Sequence, residues 1–321
     1  LKGTPRVTAT KNVAGLTFGD YEPALRHWVP LARSEGAQII IVEAHVCPED
    51  LMALAGRVQD LDIPLFFGGH CHRSRVTTVK GSRIAAASAY WRDYVVTRLV
   101  FDLAQGKLVE SEQELVDVLF PRTKLPGIDV GLRRVIDKWD ERTKLALGER
   151  IGYTQSGLGR DSVALHNLLV DSWLWAYPQA QVAISNRGGF RDDIDPGEIT
   201  IGDVVSVLPF DNELYDLTVT GGDMLNALAT VGPDIVVGGL HRDASGKLFL
   251  GDGSRLDPKA RYRLLITDYM YNNKKYPFGR YDPDAYETSI PWRQPVIDWI
   301  RAQRTTPERP LERLLDAMPR P

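Results

Sequence analysis

Two short apolar runs, each closing on histidine, constrain the fold more than any other feature. Gln38-Ile39-Ile40-Ile41-Val42 is rich in β-branched residues and leads into Glu43-Ala44-His45. Asp62-Ile63-Pro64-Leu65-Phe66-Phe67 leads into Gly68-Gly69-His70-Cys71-His72. Apolar runs this short, without polar alternation, read as strands buried on both faces, as in parallel sheets. Helical patterns precede each run. Ala24, Leu25, Trp28, Val29, Leu31 and Ala32 fall at helical spacing over 24–34, and Gly36 follows as a C-terminal stop. Pro48, Glu49 and Asp50 open a second helix over 49–59. Helix, strand, helix, strand predicts an α/β layer with polar groups gathered at the strand ends, where such sheets place their sites.

The pattern changes downstream. Residues 75–79, 83–87 and 94–101 are separated by Gly and Asp turns, which predicts antiparallel strands finishing the same layer. Pro121 to Gly127 is a break. From Val130 to Leu147 a charged helix carries Leu132, Val135, Ile136, Trp139 and Leu145 in one apolar stripe, and Gly148 ends it. A second region starts near Ile151, with a helix over 162–176, a strand at Gln181–Ser185, a glycine loop, more short strands and a last helix near 293–303. The 321 residues fit about two domains at roughly 100–200 residues each. The expected division is 1–125, a connecting helix over 126–150, and 151–321.

Composition narrows the function classes. The chain is 43% hydrophobic and 25% charged, which suits a packed core. Its net charge of −3 gives no electrostatic case for nucleic acid or an anionic membrane as main partner. No apolar run approaches the roughly 18 residues of a membrane span. Cys47 and Cys71 are too few for a disulfide scaffold and leave one disulfide or two free thiols open. The chain begins at Leu1 without Met or a signal-peptide pattern, so a longer protein, extended at its N-terminus, is expected.

Strand ends of one sheet converge on one edge, so His45, His70 and His72 are expected to meet there. Imidazole is a common ligand for first-row metals, and Gly68-Gly69 permit a tight turn before the two neighbouring histidines. The two strand-and-histidine segments resemble the second half of a calcineurin-like metallophosphoesterase domain. That family ends two strands in a ligand His and a Gly-His-x-His motif. The resemblance implies a site for two divalent ions (zinc, manganese or iron), with His45, His70 and His72 as metal ligands. It also implies an Asp-x-His, a bridging Asp and an Asn-His pair upstream. Neither Asp-x-His nor Gly-Asn-His occurs in the 321 residues, and the acids before His45 are Asp20, Glu22, Glu35 and Glu43. Half of a catalytic centre is therefore expected here, with the catalytic Asn-His pair in a preceding segment, on the same chain or a separate one.

The second region carries Asn186-Arg187-Gly188-Gly189-Phe190-Arg191, then Gly197-Glu198-Ile199-Thr200, then Leu208-Pro209-Phe210-Asp211-Asn212. The glycines let backbone approach a ligand, Arg191 offers a planar donor fork, and Phe210 offers a stacking face. In this order the segments resemble the C-terminal domain of the 5′-nucleotidase family. His166-Asn167-Leu168-Leu169-Val170-Asp171 is similar to its Gly-Asn-Leu-x-x-Asp helix, and Val237-Gly238-Gly239-Leu240 to its short Gly-Gly strand. The resemblance implies substrate contacts from Arg160, Asn186, Gly188, Gly189, Arg191, Phe210, Asn212 and Tyr269. Arg187 replaces the first loop glycine, and Asn272 to Phe278 replace a glycine-rich turn whose aspartate is expected near Lys275.

The implied fold is a partial metallophosphoesterase β-sandwich flanked by helices, joined by a helix to an α/β substrate domain. The implied function is metal-dependent hydrolysis of nucleotide phosphomonoesters in the intact protein. Alternatives within the family are 2′,3′-cyclic nucleotides, UDP-sugars or a sulfur ester, as in thiosulfohydrolases. If Leu1 is the native start, a nucleotide-binding module without turnover is the competing reading. Export from the cytoplasm follows from the resemblance alone.

Overall fold

The computed structural model describes residues 13–118 and 129–321, which fall into two compact units divided near residue 128. The expected break at Pro121–Gly127 lies outside the described residues.

The first unit opens with α1 (Tyr21–Ser34), β1 (Ile41–Glu43), α2 (Pro48–Arg57) and β2 (Leu65–Phe67). It continues with β3 (Arg75–Val79) and β4 (Ser82–Ala86). These strands form one sheet in the order β1-β2-β4-β3, with β1, β2 and β4 parallel and β3 antiparallel. The helix–strand alternation is as the pattern predicts, but the strands are shorter, and of the two expected buried strands only β2 is buried: among the described residues β1 is an outermost strand of the sheet, with Ile41 and Glu43 exposed. Pro64 has no N–H to give a ladder, so pairing between β1 and β2 starts at Leu65 opposite Ile41. Leu51, Leu54 and Ala55 of α2 pack with Phe66, Ile84 and Val29 to make this unit's core.

The strands after β4 do not finish this layer. β5 (Asp93–Asp102) and β6 (Lys107–Asp117) pair with each other as a separate two-stranded sheet. Asp102 closes the hairpin by accepting from the amides of Ala104 and Gln105, a turn chemistry that needs no outside partner.

The second unit begins with α3 (Val130–Leu147), capped by the Asp129 carboxylate accepting from the Leu132 amide. The apolar stripe of α3 forms as expected and is open to solvent, with Leu132, Val135, Ile136 and Trp139 all exposed. Next come β7 (Arg150–Thr154), α4 (Val163–Ala176), β8 (Val182–Asn186), β9 (Gly197–Thr200) and α5 (Ile201–Val207). They are followed by β10 (Glu213–Thr220), α6 (Gly221–Val231), β11 (Ile235–Gly238), β12 (Leu240–Arg242) and β13 (Leu248–Leu250). The last elements are β14 (Arg261–Thr267), α7 (Asp268–Asn272), α8 (Phe278–Tyr281), β15 (Tyr286–Pro291) and α9 (Gln294–Gln303).

A five-stranded mixed sheet, β11-β8-β14-β10-β15, organises this unit. Side chains alternate across its central strands. Ala183 and Leu265 face a core shared with α4 and α9, while Val182, Ile184, Leu264 and Ile266 face the opposite core against α6. Thr200 and Thr220 each begin a helix through a reciprocal capping box, with Asp203 and Asp223 respectively.

Candidate functional site

Register decides what meets at the end of the five-stranded sheet. β8 and β14 run parallel, with Leu265 level with Ala183, so both end at the same edge. β10 runs antiparallel to β14, with Leu214 opposite Thr267, so β10 starts where β14 stops. β15 ends there too, with Pro291 opposite Glu213. Five connections therefore share one edge: the loop after Asn186, the approach to Glu213, the approach to Ile235, the turn after Thr267, and Trp292-Arg293. The edge holds the predicted Asn186, Gly188, Gly189, Arg191, Phe210, Asn212 and Tyr269.

The loop geometry is specific. Arg187–Gly189 form a single 3₁₀ turn. A Cβ on Gly189 would lie 2.7 Å from the Trp292 ring, so this position accepts glycine alone without displacing the indole. The Arg191 guanidinium lies over the Phe210 ring, 5.0 Å from its centroid, a cation–π pair at the mouth of the edge. Phe210 keeps 40% of its surface exposed, a face a planar base can cover. The Asn186 side-chain oxygen is buried without a hydrogen-bond partner in the protein. A buried acceptor in this state has lost favourable hydration, and a donor from water or a ligand would satisfy it.

Two residues absent from the sequence-based set hold the Phe210 loop. Trp292 donates from Nε1 to the Phe210 carbonyl at 2.8 Å. Arg293 donates from Nη1 to the same carbonyl at 2.8 Å and from Nη2 to Asp211 at 2.6 Å. Their only signal in sequence is an aromatic–arginine pair after a strand, which carries no specificity without the register. Asn212 takes part through its carbonyl, which accepts from the Trp292 amide at 3.0 Å. Tyr269 is partly buried and meets Tyr276 edge-on at 6.0 Å.

Arg160 is placed less simply. Its amide donates to Asp193, its side chain contacts Asp161, and its carbonyl pairs with His166 Nε2 at 3.0 Å. The other His166 nitrogen faces Arg187 Nη1 at 3.1 Å, and Arg187 Nε donates to the Pro233 carbonyl at 2.7 Å. A guanidinium has no acceptor, so His166 Nδ1 accepts and Nε2 carries the proton. Burial, with the adjacent Arg187 charge second, holds His166 below the ordinary histidine range. Asn167 and Asp171 do not face the edge. Asn167 donates to the carbonyls of Asp316 and Met318, and Asp171 pairs with Arg320 at 2.6 Å, so this helix face anchors residues 316–320.

In the first unit, two of the three predicted histidines meet. His70 Nδ1 and His45 Nε2 share a hydrogen bond at 3.2 Å, while the His72 ring meets Tyr90 edge-on at 6.0 Å. His70 and His72 both adopt left-handed backbone, at φ 66° and 53°, a conformation that concentrates at functional sites. A disulfide between Cys47 and Cys71 ties this loop to the start of α2 and removes both thiols as ligands. Among the described residues, no group of three or more His, Cys, Asp or Glu is arranged to hold a metal ion. Imidazoles bonded to one another, without a carboxylate to bridge or neutralise, do not fit a two-metal centre.

The fold thus defines a mixed α/β protein of several sheets with a polar loop cluster at one sheet edge. Residues 149–278 match the family model described as "5'-nucleotidase, C-terminal domain", so it is the second unit that is similar to this family. It is 26% identical over 283 residues to "Endonuclease YhcR" of Bacillus subtilis (strain 168), covering 81% of this chain and 23% of that protein. It is 28% identical over 243 residues to "Trifunctional nucleotide phosphoesterase protein YfkN" of the same organism, covering 70% of this chain and 16% of that protein. The chain thus spans under a quarter of the length of either relative. A 5′-nucleotidase precursor of Thermus thermophilus shares the fold with a TM-score of 0.71 at 21% identity, over 90% of this chain and 66% of that one.

Proposed function

We infer that the second unit binds the substrate of a nucleotide phosphoesterase, with the base on Phe210 and the phosphate or ribose oxygens on Arg191. The Arg191–Phe210 pair at 5.0 Å carries this reading, because it sets a cation and a stacking face side by side at the edge that also holds Asn186. Asn186, with its buried oxygen lacking a protein partner, supplies an acceptor for a substrate hydroxyl or amine. Gly188 offers backbone to the ligand, Gly189 lets the loop pack on Trp292, Asn212 and Tyr269 flank the loop, and Arg160 is kept as a further substrate contact from the resemblance. Nucleoside monophosphates are the proposed substrates, and 2′,3′-cyclic nucleotides, UDP-sugars and sulfur esters are the alternatives to be compared.

The first unit is read as the later part of a calcineurin-like metallophosphoesterase sandwich. His45, His70 and His72, which as placed make no metal centre, would supply only the imidazole share of a two-ion centre whose carboxylates come from elsewhere, and no chemical step is assigned to them. Among the described residues β1 has no partner on its outer side, which supports a further segment pairing there and bringing the carboxylates. The Cys47–Cys71 disulfide supports an oxidising, exported location.

Calorimetric titration of AMP, 2′,3′-cyclic AMP and UDP-glucose into the 321-residue chain tests the binding reading. Saturable binding of a nucleotide is expected, weakened by about 1–3 kcal/mol in Phe210→Ala through loss of stacking. Failure of all three ligands to bind, or equal affinity in Phe210→Ala, overturns it.

A further inference from the structure

A second cavity opens beside the start of β11 in the same unit, and Arg191, Phe210 and Tyr269 are not among its lining residues. A cavity of about 480 Å³ is walled by Leu225 and Leu228 of α6, Leu248 of β13, and the arginines Arg187, Arg242 and Arg320. The three arginines differ in what they face. Arg320 is neutralised by Asp171 and Asp316. Arg187 is held by His166 and the Pro233 carbonyl, and Arg242 by the Gly246 carbonyl, all without charge. Neither Arg187 nor Arg242 has a carboxylate partner among the described residues, so two uncompensated guanidiniums open on one cavity with a leucine floor. Each is fixed by hydrogen bonds that leave other N–H groups of its fork unused, and so is pre-set to receive an oxyanion.

We propose that this cavity binds a small amphiphilic anion, a phosphate or carboxylate head on a short apolar body. The head sits between Arg187 and Arg242, and the body lies on Leu225, Leu228 and Leu248. Arg187 directly follows Asn186, so the ligand bears on the first turn of the loop that ends at Arg191.

Titration calorimetry on the 321-residue chain with n-butyl phosphate and with inorganic phosphate tests the site. Arg242 and Leu225 are both surface residues, so Arg242→Gln and Leu225→Asn serve as independent variants, each checked for folding by its melting transition. One site per chain is expected, with butyl phosphate binding more tightly than phosphate. Arg242→Gln weakens both anions about tenfold, the loss of one charged hydrogen-bond partner. Leu225→Asn weakens butyl phosphate alone. Absence of binding, unchanged affinity in Arg242→Gln, or displacement of butyl phosphate by AMP overturns the proposal.

Discussion

Arg187 stands where the family loop carries its first glycine, and His166 gives the reason it is tolerated. The imidazole Nδ1 accepts from the guanidinium while Nε2 donates to the Arg160 carbonyl, so a neutral ring bridges the loop and the start of α4. Proton uptake would convert that acceptor to a donor beside a cation. With its folded-state value below the ordinary 6.5, His166 contributes stability that is present above about pH 6.5. That contribution is lost as pH falls, because the unfolded chain takes up the proton first. Urea midpoints measured between about pH 7 and pH 5 should fall less steeply in His166→Gln than in the parent chain. Identical slopes would show that this ring does not titrate against Arg187. The sequence marks Arg187 as a departure from the family loop. It does not show the bond to His166, because the two lie 21 residues apart on different elements and meet only through the packing of α4 on β8.

At the scale of elements, the histidine loop is held by covalent and steric means together. The disulfide closes a separation of 24 residues from the start of α2 to the residue between His70 and His72. Gly68 sits where a Cβ would lie 2.9 Å from Leu51, so the loop leaves β2 hard against α2. Replacing both cysteines by serine should lower the stability of the first unit by about 3 kcal/mol, the chain-entropy value for a loop of this length. Urea unfolding followed by hydrogen exchange checks this, and the second unit's transition should not move. Equal loss in both units would contradict a local role. Much of this architecture was readable in advance. Unalternating runs named β1 and β2, Pro48 named the start of α2, and Gly-Gly-His-x-His named the loop. The assignment of 94–101, which forms β5, to the same layer fails because turn signals mark where a strand lies and not which strand it pairs with. The open choice between thiols and disulfide is settled only by a Cα–Cα distance of 5.2 Å, which spacing cannot supply.

For the whole molecule, the two units stand differently with respect to function. The second unit carries a complete sheet edge, because every connection that reaches it lies between Asn186 and Arg293 in the described chain. Among its described residues the first unit carries an imidazole pair, a disulfide and a strand edge with no partner, and no group of donors arranged to hold a metal. The motifs from Asn186 to Asn212 marked the candidate edge in sequence, since glycines, arginine and aromatic follow there in the order the resemblance implies. Trp292 and Arg293 stayed hidden because they come from the far end of the chain and join through the β10–β15 register. The central claim is that this chain recognises a nucleotide on the edge of its second unit. Hydrogen–deuterium exchange of the 321-residue chain, with and without saturating AMP, tests it most directly. Slowed exchange confined to amides at 186–191, 208–213 and 268–272 is the result expected. Protection centred on 45–72, or no protection at any AMP concentration, would contradict the account.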